Sequence, residues 1–227
     1  MSYLIVVAHP DDEVLGAGAT IHLLSSLGKE VNVCIMSGAA DARTRKPTDD
    51  LLKADMNASL DSLGVRKRYI GQFPNIQMNT VPHLELVKFI EASIVDCNAD
   101  TIITHHPGDL NDDHVQTSRA CVAAARLFQR RSDIRPLKEL LYMEVPSATD
   151  WGFPPEGGAF KPNTYIEIGQ TSLCKKIDAL SCYRDVMRDY PHPRSAESIR
   201  GLAAIRGSQS GCSYAEAFES VFKRLIF

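Results

Sequence analysis

The chain opens on an unbroken apolar block, Tyr3-Leu4-Ile5-Val6-Val7-Ala8, that stops abruptly at His9-Pro10-Asp11-Asp12-Glu13. A continuous apolar run of this length suits a parallel strand covered on both faces. Apolar positions then recur at helical spacing over 15–27, and Gly28 is a good helix stop. The same change of period repeats down the chain. Strands are predicted over 30–36, 68–70, 101–104, 140–145 and 165–168. Helices are predicted over 50–63 (ended by Gly64), 82–95 (started by Pro82), 113–130, 171–183, 195–206 and 215–224. Such alternation predicts an α/β fold, a parallel sheet with helices on both faces. Two long stretches, 37–47 and 146–162, read as loops, either binding elements or surface decoration.

Composition narrows this picture. The 227 residues suffice for one substantial core, so 1–227 is expected to be a single domain. A net charge of −3 offers no basic surface for nucleic acid or an anionic membrane. No run approaches the ~18 apolar residues of a membrane span, and the first residues lack the pattern of a signal peptide, so a cytoplasmic location is expected. The six cysteines form no CxxC pair and read as reduced thiols. A metal site in this chain therefore has to use histidine and carboxylate.

Two polar clusters stand where such a site belongs. His9-Pro10-Asp11-Asp12-Glu13 follows the first predicted strand, and Pro10 holds its neighbours in a tight turn. His105-His106-Pro107-Gly108-Asp109-Leu110-Asn111-Asp112-Asp113-His114 follows the strand at 101–104. In an open α/β sheet, ligands bind beyond the carboxyl ends of the strands, at the point where strand order reverses. That places His9, Asp12 and one histidine of the second cluster within reach of one cation. Two imidazoles and one carboxylate make the donor set of a catalytic zinc site; iron(II) shares the pattern. Asp112 or Asp113 could instead serve as a helix cap. His22 and His83 read as ordinary surface or core histidines. Glu13 suits either a partner of a ligand histidine or a first-turn acid, and Trp151 suits either loop packing or a sugar platform. Arg194 suits either substrate binding or a surface ion pair.

The sequence resembles the PIG-L/LmbE-like deacetylases. The resemblance rests on Ala8-His9-Pro10-Asp11-Asp12-Glu13, on Asp113-His114, on Tyr190-Pro191-His192-Pro193-Arg194-Ser195, on Arg206-Gly207-Ser208 and on Tyr214-Ala215-Glu216-Ala217-Phe218. It implies a Rossmann-like, doubly wound sheet and zinc-dependent removal of an acetyl group from an N-acetylglucosamine-type sugar or sugar conjugate. It further implies His9, Asp12 and His114 as metal ligands, Asp11 as the general base acting on zinc-activated water, and Asp113 as the acid that orients a histidine. Arg43 falls where relatives contact the sugar. Many relatives carry a histidine at the place of Asn111, and it helps polarise the carbonyl there. That task then falls to Asn111 itself, His192 or His106. His106, Asp109 and Asn111 join Arg43 as expected substrate contacts. Relatives form trimers or hexamers, so a homo-oligomer is an open expectation.

Two other readings compete. A zinc amidase acting on a thiol-sugar conjugate or another N-acyl amine would use the same ligands with different loops. A non-catalytic nucleotide-binding module is disfavoured, since the first strand-to-helix turn lacks glycines and its acids would repel phosphate.

Overall fold

The computed structural model describes residues 1–42, 45–153 and 158–225. Among these residues, seven strands form one sheet: β1 (Ser2–Val7), β2 (Glu30–Ile35), β3 (Lys67–Ile70), β4 (Thr101–His105), β5 (Glu139–Met143), β6 (Thr164–Glu167) and β7 (Ala215–Lys223). Among the described residues, six helices accompany them: α1 (Asp12–Ser26), α2 (Asp49–Ser62), α3 (His83–Cys97), α4 (Asp112–Ala125), α5 (Gly169–Cys182) and α6 (Ala196–Ser210). The strand order is β3-β2-β1-β4-β5-β7-β6, parallel throughout except for β7. This is the doubly wound arrangement expected from the alternation of strands and helices, with the reversal of order between β1 and β4.

Side-chain alternation along β1 explains why both faces are covered. Ile5 and Val7 enter one core with residues of α1, α2, α5 and α6. Leu4, Val6 and Ala8 enter the other, with residues of α3 and α4. A strand buried on both faces favours apolar residues on each, hence the apolar run from Tyr3 to Val7. Gly16 lets α1 lie close to β5, since a Cβ there would stand 2.4 Å from Met143 Sδ. All six cysteines are free thiols.

One element differs in kind from the expectation. The helix expected over 215–224 is instead the strand β7, Ala215–Lys223, which lies antiparallel between β5 and β6. Ala-Glu-Ala favours a helix locally, but propensity is a weak bias. A segment inserted between two strands satisfies its backbone in two ladders and buries Phe218 fully. The helix expected over 113–130 also ends earlier, at Ala125, and continues as a single 3-10 turn, Leu127–Gln129.

Candidate active site

The carboxyl ends of β1 and β4 meet at the switch point. Ala8 N donates to His105 Nε2 at 2.9 Å, and Thr104 Oγ1 donates to Val6 O at 2.9 Å. Beyond β1, Asp11 adopts φ 100° and ψ −26°, in the left-handed region. Few residues other than glycine sit there, aspartate among the more tolerant, and strain of this kind collects at functional turns. The turn delivers Asp12 to the first position of α1. On the other side, Asn111 caps α4: its Oδ1 accepts from Asp113 N at 3.0 Å. The first turn of α4 then carries Asp113 and His114 into the same space, so both helices point their positive N-termini at the site.

Three groups converge there. His9 Nδ1 lies 3.4 Å and His114 Nε2 lies 3.2 Å from Asp12 Oδ2, and one ligand atom of each residue lies within 4.8 Å of the others. Each imidazole turns its far nitrogen toward a further carboxylate. His9 Nε2 stands 2.9 Å from Asp113 Oδ2, and His114 Nδ1 stands 3.1 Å from Asp109 Oδ2. Those carboxylates are themselves fixed: Asp113 accepts from Ile76 N and Met78 N, and Asp109 from Thr149 Oγ1 and Asn111 N. Histidine backed by carboxylate is how metal-binding imidazoles are commonly oriented and made more basic. His105 stacks on His114 with ring centroids 3.9 Å apart. With Asp109 and His114 it forms a second group close enough to share a cation. Since His114 belongs to both groups, His105 is the inner wall of one site.

The charges of this floor favour a cation. Burial opposes a charge on His114, yet Asp12 and Asp109 outweigh it and lift the imidazole to about 10. Burial also opposes the charge of Asp12, but His114 and His9 hold its carboxyl well below the usual range. Burial and the neighbouring His114 push His105 down to about 3, so it is neutral. The two buried carboxylates beside His114 thus hold a proton on it, in the position a divalent ion would take. Two imidazole nitrogens, one carboxylate oxygen and an excess of negative charge fit a divalent metal of zinc type.

The site opens into a cleft of about 430 Å³ lined by His9, Asp11, Asp12, Asn111, His114 and Arg194, among others. Arg194 Nη1 faces Asp11 Oδ2 at 3.6 Å, and its Nε donates to Ser147 Oγ at 3.0 Å. The structure therefore brings together His9, Asp11, Asp12, Asn111, Asp113 and His114, with Asp109 behind His114. It places His106 elsewhere: buried against Tyr142 and Phe160, with Nε2 3.5 Å from Glu219 Oε2. His192 is exposed, outside the residues that line the cleft, and its Nδ1 accepts from Arg194 N. Arg43 lies outside the described residues. His105, expected as the first residue of the polar cluster after the strand, is instead the last residue of β4 and packs behind His114. Arg194 carried too little weight, because its partner Asp11 is distant in sequence.

Residues 4–125 match the family model PIG-L: GlcNAc-PI de-N-acetylase. No curated protein matches the sequence. Among solved structures, a conserved protein of Thermus thermophilus superposes with a TM-score of 0.78 at 22% identity, covering 100% of this chain and 98% of that one. The N,N'-diacetylchitobiose deacetylase of Pyrococcus horikoshii gives 0.78 at 20% identity, over 97% of this chain and 83% of its own. The 4-carboxy-2-hydroxymuconate hydratase of Pseudomonas putida gives 0.76 at 20% identity, over 100% and 99%.

Proposed function

The chain belongs to the PIG-L family, and from that membership we propose that it is a metal-dependent deacetylase that removes the acetyl group from an N-acetylated amino sugar of the N-acetylglucosamine type. The fold alone does not choose this chemistry, since a hydratase shares it. The observation that carries the reading is the convergence of His9, Asp12 and His114 at the floor of a cleft that also holds Asp11.

Zinc bound there would polarise the amide carbonyl and acidify a water molecule; iron(II) suits the same donors. His9, Asp12 and His114 would hold the ion, and Asp113 and Asp109 would keep the two imidazoles in the required orientation. Asp11 takes the proton of the attacking water and passes it to the leaving amine nitrogen. Arg194 steadies the Asp11 carboxylate and offers donors to sugar hydroxyls. Asn111 spends its Oδ1 on the α4 cap, which leaves Nδ2 as an uncharged donor for the developing oxyanion. His192 acts at one remove, by ordering the backbone of Arg194.

The test is metal analysis of the purified protein combined with an acetate-release assay across free and conjugated N-acetylated sugars. One divalent metal per chain and release from an N-acetylglucosamine-type sugar support the reading. Hydrolysis confined to N-acyl amines that are not sugars would replace it with the amidase reading. A metal-free, inactive chain would remove both.

A further inference from the structure

Glu13 is the buried acid that the chemistry above leaves unused. It is fully buried, and no lysine, arginine or histidine stands within ion-pair distance of it among the described residues. An acid in the first turn of a helix serves the helix dipole equally well from the surface, at no desolvation cost. Its contacts give the reason for burial. Glu13 Oε2 accepts from Asp11 N at 3.1 Å, and Glu13 Oε1 accepts from Tyr183 Oη at 2.6 Å. Tyr183 is 1% exposed and closes the C-terminal end of α5. Its own place is fixed by the next residue, since Arg184 N and Nε both donate to Asp55 of α2. A chain of contacts therefore runs from α2 through α5 to one backbone amide, that of the strained residue whose side chain lines the cleft.

We propose that Glu13 and Tyr183 are positioning residues for the acid–base step: Tyr183 fixes the Glu13 carboxyl group, and Glu13 holds Asp11 in the left-handed turn that presents its side chain to the cleft. The left-handed turn at Asp11 carries a local cost, and it persists only where surrounding groups over-determine it. The Glu13–Asp11 hydrogen bond is a contact that does so. This inference rests on the reading of Asp11 as the base, while its structural half stands independently of any activity.

The test uses three variants of the whole chain. Tyr183→Phe removes one hydroxyl and keeps the ring, Glu13→Ala removes the acceptor, and Glu13→Gln keeps an acceptor for Asp11 N. In crystal structures, Glu13→Ala is expected to release Asp11 from positive φ and draw its carboxylate out of the cleft, whereas Glu13→Gln retains the turn. On a substrate that the wild-type chain deacetylates, kcat falls roughly tenfold to hundredfold in Tyr183→Phe and Glu13→Ala, as expected for a misplaced catalytic group. KM and metal content stay unchanged, and Glu13→Gln recovers most of the rate. Should Glu13→Ala fail to fold, Tyr183→Phe decides the matter by the same kcat and KM split. An Asp11 turn unchanged in Glu13→Ala, or a kcat within twofold of wild type in Tyr183→Phe at full metal loading, overturns the proposal. A wild-type chain that releases no acetate from any sugar overturns the proposed function instead, and leaves the crystallographic comparison to judge the positioning role.

Discussion

Position 11 shows how tightly the candidate chemistry is tied to single atoms. Asp11 occupies a backbone conformation uncommon for its type, beside a residue that binds the metal in this account, and faces a guanidinium across the cleft. Asp11→Asn keeps the size and the turn but removes the proton acceptor. It is expected to retain its metal and lose at least about a hundredfold in kcat, in line with the size of acid–base effects. Metal analysis beside turnover measurements checks this. Asp113→Ala should behave differently, because it leaves His9 Nε2 without its 2.9 Å partner. Metal affinity is then expected to fall roughly tenfold to hundredfold, read by titration against a chelator. The two clusters at 9–13 and 105–114 were visible because acids and histidines crowd there where a connection needs none, while the choice of His114 and the role of Asp11 came from the family resemblance. The sequence could not show Arg194 or Tyr183 as partners of the first cluster, since they lie far along the chain and only folding brings them near.

Among the elements, α1 is held in an unusual way. Lys176 of α5 donates to Leu15 O at 2.7 Å and to Glu216 Oε1 at 2.6 Å, while Glu216 of β7 accepts from Ala19 N and Thr20 N. A buried ion pair is thus spliced into the backbone ladder of the helix that begins at the candidate metal centre. Removing one partner strands the other charge. Glu216→Ala is expected to cost roughly 3–5 kcal/mol, and the double change Lys176→Met with Glu216→Leu considerably less. Denaturant unfolding of both variants measures the difference. The splice also explains why β7 was read as a helix. Glu216 sits in an Ala-Glu-Ala segment whose composition favours a helix, whereas its actual place depends on groups of α1 and α5 roughly 200 and 40 residues away. By contrast, β1, β2 and β4 were legible because burial on both faces leaves its mark within a few consecutive residues.

For the whole molecule, the sheet order decides everything else: with β1 beside β4, loops nearly a hundred residues apart share one floor. That floor also sets the pH response of the metal-free chain. His114 is raised from 6.5 to about 10, so its contribution to stability is complete below about pH 6.5 and is lost as pH rises through 10. Asp12 is lowered from 3.8, so its contribution is complete above that value and is lost as pH falls through the lowered one. The metal-free chain is therefore expected to unfold more easily as pH climbs from 7 to 10. Zinc at a hundred times its dissociation constant should add about 2.7 kcal/mol of stability. Binding near neutral pH should release protons, since the ion takes the place of the one on His114. Thermal melts across that range, with and without zinc, test both statements.

The most direct measurement is anomalous diffraction at the zinc edge from crystals of the zinc-loaded protein. One peak per chain is expected, bonded to His9, Asp12 and His114 at roughly 2.0–2.2 Å, and it disappears in His114→Ala. A peak bonded to other residues, or none at this floor in fully loaded crystals, would contradict that expectation.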